Sequence, residues 1–314
     1  MRIMKVHIPV IESPGKHGQG TLLLVVILSL LLGATNAFGQ DISRTETGSM
    51  TFSDPSDPGN KLRAMNINGS LTIEAYDGQS VEMSVKETIS GTRSEMEQGR
   101  QELEFKLEKR GRLILAYLDA PFVTLRIEDG KIHYHINRNE ESYSFTHEVH
   151  LRVPRGILLE GSTINRGDLQ ITGSFREVKA KNINGAIELR KMTSKTEAST
   201  INGDISASYE KSPDKDSQYQ TVNGSIRVYM PEDLSAEVYF KSLHGELFTD
   251  FENVEKLAPQ VTKKHHSSRS KVSYRVEKFN PIRIGNGTIK LRFEVLNGDV
   301  YLRNRSASAS KPLK

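Results

Sequence analysis

Four of the nine histidines fall within eighteen residues, at His133, His135, His147 and His150. His133 and His135 sit in an alternating stretch where residues two apart share a strand face, so their imidazoles have the spacing of a metal-binding pair. They are the metal candidates of the chain. His147-Glu148-Val149-His150 is one residue short of the His-Glu-x-x-His phrase of zinc hydrolases. It also lies in a strand pattern, where positions three apart face opposite ways. Exposed histidines on polar strand faces are therefore the expectation. Asp168, Asp204 and Asp299 each follow a glycine, as calcium ligands in a repeat would, but Ser70, Ala186, Ser225 and Glu246 hold the same place elsewhere. The Gly-Gly-x-Gly-x-Asp phrase of calcium-binding rolls is missing, which favours a structural role for these turns. Arg166-Gly167-Asp168 spells the tripeptide that integrins recognise, and the repeat already accounts for its Gly and Asp. Lys263-Lys264-His265-His266 opens a basic run to Lys271 that would suit an acidic surface and is expected to be a solvated loop.

The usual catalytic phrases are absent: there is no Gly-x-Ser-x-Gly elbow, phosphate loop or dinucleotide fingerprint, and no cysteine nucleophile. The carboxylates are scattered, so no acid–base pair can be named from spacing. No cofactor is expected. The net charge is +4, half of it carried by residues 1–39, which leaves too little to argue for nucleic acid.

Residues 1–39 read as a signal peptide. Arg2, Lys5 and Lys16 form a basic start, Leu22 to Leu32 is an apolar run broken by Ser29, and small residues follow to Gly39. Cleavage is expected after Ala37 or Gly39, although Leu22 to Phe38 would nearly span a bilayer, if tilted, were it kept as an anchor. The chain is thus expected to be exported to the periplasm or cell surface, with no stable membrane insertion after cleavage. With no cysteine, it has neither disulfides nor a lipid-acceptor thiol.

What would position any site is a recurring phrase. Ile183-Asn184-Gly185-Ala186-Ile187 returns as Ile201-Asn202-Gly203-Asp204-Ile205, Val222-Asn223-Gly224-Ser225-Ile226 and Leu243-His244-Gly245-Glu246-Leu247. Earlier and later copies centre on Asn68-Gly69 and Asn297-Gly298, and an irregular one inserts Arg166 between Asn165 and Gly167. The glycines at 185, 203, 224 and 245 are 18, 21 and 21 residues apart. Such a period suits one coil of an all-β solenoid or roll built from short strands. Asn-Gly is expected to turn the chain because both residues tolerate positive φ. The apolar residues two and four places after each Gly share a face and form an inward stripe. The apolar residue just before each Asn conflicts with the preceding alternation, so a bend or bulge is expected to turn it inward as well. Stacked coils would align Asn68, Asn184, Asn202 and Asn223 in a ladder, with Arg166 and His244 as interruptions.

The remaining organisation follows. Residues 40–60 are expected to be a flexible lead-in, with Met50 to Phe52 its one strand pattern. Residues 61–156 form an N-terminal β region of the same domain, 157–304 the repeat array and 305–314 a disordered tail. Thr92 to Glu104 is the one helix candidate, with Ser94 as its cap and Gly99 against it.

Val149 to Phe251 resembles a bacterial domain-of-unknown-function family whose members are named putative adhesins. The opening Val149-His150-Leu151-Arg152-Val153-Pro154-Arg155-Gly156 and the phrases from Thr200 to Ile205 and Thr221 to Ile226 carry the likeness. Val228-Tyr229-Met230-Pro231, Val295 to Leu302 and the Leu62 to Val85 stretch extend it. The resemblance implies an exported β-solenoid and no established activity, so no family catalytic residue is carried over. The expected function is a non-catalytic, adhesin-like or envelope scaffold module that binds an envelope protein or a glycan. A polysaccharide-active enzyme and a metal or ligand sensor coupled to a membrane partner are the alternatives.

Overall fold

A computed structural model describes residues 40–308, apart from 129–130, 138–141, 269–270 and 280. The signal peptide assigned to 1–39 lies outside the described residues.

The chain begins with β1 (Gln40–Thr51), then β2 (Lys61–Met65), β3 (Leu71–Tyr76) and β4 (Ser80–Gly91). Helix α1 (Arg93–Glu102) leads into β5 (Glu104–Arg110), β6 (Leu113–Asp119), β7 (Val123–Glu128) and β8 (Lys131–Ile136). Next come β9 (Ser144–Pro154), β10 (Leu158–Ser162), β11 (Leu169–Thr172), β12 (Glu177–Lys181) and β13 (Ile187–Met192). β14 (Thr196–Ser199), β15 (Ile205–Tyr209), β16 (Ser217–Asn223) and β17 (Ile226–Met230) continue the alternation. β18 (Ala236–His244), β19 (Leu247–Thr249), β20 (Val254–Lys256), β21 (Gln260–Ser268) and β22 (Lys271–Phe279) follow. The chain closes with β23 (Ile282–Ile284), β24 (Ile289–Asn297), β25 (Val300–Asn304) and the short α2 (Arg305–Ser308).

These strands build an all-β solenoid of two facing sheets. One runs β1-β4-β9-β3-β11-β13-β15-β17-β25-β19 and the other β20-β23-β18-β24-β16-β14-β12-β10-β2-β6-β5. Each coil gives one strand to each sheet, and the Asn-Gly phrase is the corner between them. Strands of successive coils pair in parallel, so Leu71, Leu169, Ile187, Ile205, Ile226 and Val300 stack in register. All six are buried, as are Ile73, Ile171, Leu189, Ala207, Val228 and Leu302 one step along. The facing sheet turns Leu62, Leu159, Val178, Ala198, Tyr219, Phe293 and Val238 toward them. Period-two alternation therefore fills a thin core from both sides.

The coils do not stack in sequence order. β24 lies between β16 and β18, and β25 lies between β17 and β19. The chain skips one slot after Met230 and builds the outermost coil from β18 and β19. It then makes the β21–β22 excursion and returns to fill the gap. Gly224 and Gly245 are thus not neighbours, although their spacing of 21 residues fits one coil.

Several expectations are corrected. The lead-in is ordered over Gln40–Thr51, where β1 runs antiparallel to β4 along its whole length. The α1 cap is Thr92: its hydroxyl accepts from Glu95 N, and the Glu95 carboxylate accepts from Thr92 N at 2.7 Å. This reciprocal box outcompetes Ser94 as a start signal. Gly99 belongs inside α1 because the helix packs closely there, and an added Cβ would lie 3.0 Å from Tyr143. The basic run is a strand pair, β21 antiparallel to β22, and not a loop. The tail begins as α2, whose Arg305 donates to the Tyr209 carbonyl at 2.9 Å; residues 309–314 lie outside the described residues.

Candidate binding edge

The Asn-Gly corners stack into one straight edge. Asn165 Nδ2 donates to Asn68 Oδ1 (3.3 Å), Asn184 to Asn165 (3.2 Å), Asn202 to Asn184 (2.9 Å), Asn223 to Asn202 and Asn297 to Asn223 (both 2.8 Å). Every amide donates in the same direction, toward the N-terminal end of the solenoid. The run includes Asn165 because Arg166, the inserted residue, is absorbed in a left-handed conformation at φ 57°. It stops at His244 of the outermost coil, whose carbonyl accepts from Gly298 N.

The glycines beside this ladder are required by crowding more than by turn geometry. An added Cβ on Gly185, Gly203, Gly224, Gly298 or Gly245 would lie 1.9–2.3 Å from the carbonyl oxygen of the glycine in the coil below. In that column only Gly69, Gly224 and Gly298 have positive φ, and none of the ladder asparagines does. The hairpin-turn reason expected for Asn-Gly is therefore corrected: the corners are stacked close approaches of backbone.

Just inside, a second polar row satisfies the corner carbonyls. The Thr163, Thr200 and Thr221 hydroxyls donate to the Gly69, Gly185 and Gly203 carbonyls at 3.0–3.1 Å. Asn182 Nδ2 donates to the Gly167 carbonyl, and its Oδ1 accepts from Ile183 N. Asp168, Asp204 and Asp299 accept from the backbone N–H of Ala186, Ser225 and Glu246, one coil along. That bond explains both the Asp residues and their absence from the copies they serve. Burial would raise the Asp204 carboxyl, but the Ser225 amide and the Arg227 guanidinium outweigh it and hold it below its ordinary range. With its carboxylate engaged, Asp168 does not present Arg166-Gly167-Asp168 as a free loop tip.

The apolar residue before each Asn faces out. Asn182 keeps the inward phase of Val178 and Ala180, so Ile183 follows on the outside, against the expected bend. Ile183 is 39% exposed, Ile201 45%, Leu296 42% and Leu243 66%. Ile164 and Val222 complete the row at intermediate exposure. One aliphatic side chain per coil, at strand spacing, makes a stripe about 24 Å long beside the amide ladder. Scattered exposed apolar residues need no explanation, but a contiguous row does. Ile67 in the first coil is buried and floors a groove of about 410 Å³ with Tyr143 and Phe145, at the N-terminal end of the edge.

The histidines separate. His147 is fully buried, against the expectation of exposure, because it shares strand parity with Phe145 and Val149. Its Nε2 lies 2.9 Å from Glu87 Oε2, and Glu87 Oε1 accepts from Arg44 Nε at 2.6 Å. Arg44 also donates to the Leu103 carbonyl at the end of α1. Burial raises the neighbouring Glu46 carboxyl despite Arg44 beside it. His150 faces outward 3.6 Å from Glu74. His135 is exposed on β8, while the His133 side chain lies outside the described residues. Among the described residues no three His, Asp or Glu side chains are placed to share a metal ion. Among the described residues, neither the groove nor a second cleft lined by Lys179, Glu197 and Gln218 has a pair of facing carboxylates.

Parallel coils, an inward aliphatic core and corner ladders define a β-solenoid repeat domain. Residues 162–292 match the family model described as Toastrack DUF4097, a family of unknown function, and over that stretch the chain is similar to it. The chain is similar to the solved structure of a putative cell adhesion protein from Clostridium sporogenes, with 12% identity and a TM-score of 0.40 over 83% of this chain and 99% of that one. It is also similar to a putative adhesin from Bacteroides fragilis, with 10% identity and a TM-score of 0.29 over 82% and 96%. A putative lipid binding protein from Parabacteroides distasonis gives 14% identity and a TM-score of 0.23 over the same shares. A search of curated proteins gives no match.

Proposed function

We propose that the chain is a non-catalytic binding module of the cell envelope, adhesin-like or scaffold in type, whose contact surface is the Asn-Gly edge. The carrying observation is the aliphatic row of Ile183, Ile201, Leu296 and Leu243 in open solvent. Its side chains offer no hydrogen bonds to sugar hydroxyls, so of the two expected partners the row suits an envelope protein. An apolar strip lined by ordered polar groups is how a protein contact combines burial with register. The reading includes export by the segment 1–39.

Photocrosslinking in intact cells tests the surface. A photoreactive side chain at Ile201 or Leu296 is expected to give a discrete protein adduct, whereas one at exposed Lys181 is not. Adducts from Lys181 alone, or none from the row, would overturn the reading. The same cells test export: the protein is expected in the envelope fraction, starting after Ala37 or Gly39. Recovery from the cytoplasm with Met1 intact would refute that part.

A further inference from the structure

We propose that the groove at the N-terminal end of the edge is a separate site for a small, hydroxylated carboxylate, an acidic sugar in chemical class. Arg166 is the first reason. It is the residue that this one copy of the repeat adds, and it is held at φ 57°, where glycine or asparagine is favoured over a long side chain. No described carboxylate or carbonyl accepts from its guanidinium, so among the described residues nothing uses the charge that this position carries. The groove it lines holds about 410 Å³, and among the described residues none of its walls carries a carboxylate.

The amide ladder is the second reason. Because every Asn donates toward the N-terminal end, the last amide, Asn68, has its Oδ1 occupied while no described residue accepts from its Nδ2. A chain of hydrogen bonds aligned in one direction strengthens the donor at its end. Asn68, Arg166 and Ser144 line the same groove. Uncancelled donors of this kind select an anion. The planar guanidinium fork matches a carboxylate, and the Ser144 hydroxyl and the amides match sugar hydroxyls. The volume is that of a small-ligand pocket.

The site does not depend on the aliphatic row having a partner. Isothermal titration of the full chain with glucuronate, glucose and inorganic phosphate tests it. Glucuronate is expected to saturate one site, with glucose and phosphate at least ten-fold weaker. Arg166→Gly relieves the left-handed conformation and so should keep the melting temperature while weakening glucuronate at least ten-fold. Asn68→Asp, which sets a carboxylate at the donor end of the ladder, should abolish binding. Ile201→Glu should leave binding unchanged even if it removes the protein contact, which separates the two readings. No saturable glucuronate binding, unchanged affinity in both groove variants, or tighter binding of phosphate or glucose would overturn the assignment.

Discussion

At Gly203 an added Cβ would sit 2.1 Å from the Gly185 carbonyl oxygen, well inside contact distance. The coils could make room only by moving apart, and that would stretch the Asn202–Asn184 bond and the parallel backbone pairing on both sides. Gly203→Ala is therefore expected to cost on the order of 2–4 kcal/mol, read as a lowered urea midpoint at unchanged slope. Gly156 is glycine for a different reason: its φ is 74°, and nothing stands within 4 Å of where a Cβ would be. One residue type thus meets two unrelated needs, close approach in the column and left-handed backbone in an open loop.

On the scale of the element, each coil is a strand, a corner and a strand, and the corner reverses what the sequence pattern implies. Ile201 and Ile205 look alike in sequence, yet Ile201 is 45% exposed and Ile205 fully buried. Ile205→Ala should cost about 2–5 kcal/mol, while Ile201→Ser should change stability by less than about 0.5 kcal/mol and raise solubility, both measured by denaturant unfolding. Equal costs would show that the row packs inside. The strand after each corner was legible because its alternation is unbroken from Ile187 to Leu189 or Ile226 to Val228. The position before the corner was not, because Thr200 and Asn182 are polar yet buried, and each satisfies a glycine carbonyl of the neighbouring coil. Inward polar residues make sense only once the stacking is known. His147 was misread for a related reason: its partner Glu87 is 60 residues away on β4. Its parity with Phe145 and Val149 was the one local signal of burial.

At the level of the whole molecule, the slot filled last holds the C-terminal end together. Among the described residues, β24 alone joins β16 to β18, and β25 alone joins β17 to β19. A chain ending at residue 288 should therefore leave Ala236 to Ile284 without a sheet to join. Limited proteolysis is expected to remove that region while residues 61–230 stay protected. Protection of both would mean that the outer coil can dock directly on β16 and β17. This order was not legible in the sequence, since 21 residues between Gly224 and Gly245 fit a neighbouring coil as well as one two slots away. Only the register Asn223↔Asn297 and His244↔Asn297 distinguishes them.

The displaced order also restricts how such an array can evolve. Repeat proteins commonly lengthen when a copied unit is appended to an end. Here a duplicate joined after Asn304 would emerge in the interior of the stack, with occupied slots on either side, while the terminal position already belongs to β18 and β19. The far end is closed as well, by β1, β4 and β9, which lie beyond the first coil in antiparallel pairs. New units can therefore be accommodated only by duplication within residues 163–230, where coil order and gene order agree. The length of the edge, and with it the reach of any surface it contacts, is set by that internal segment.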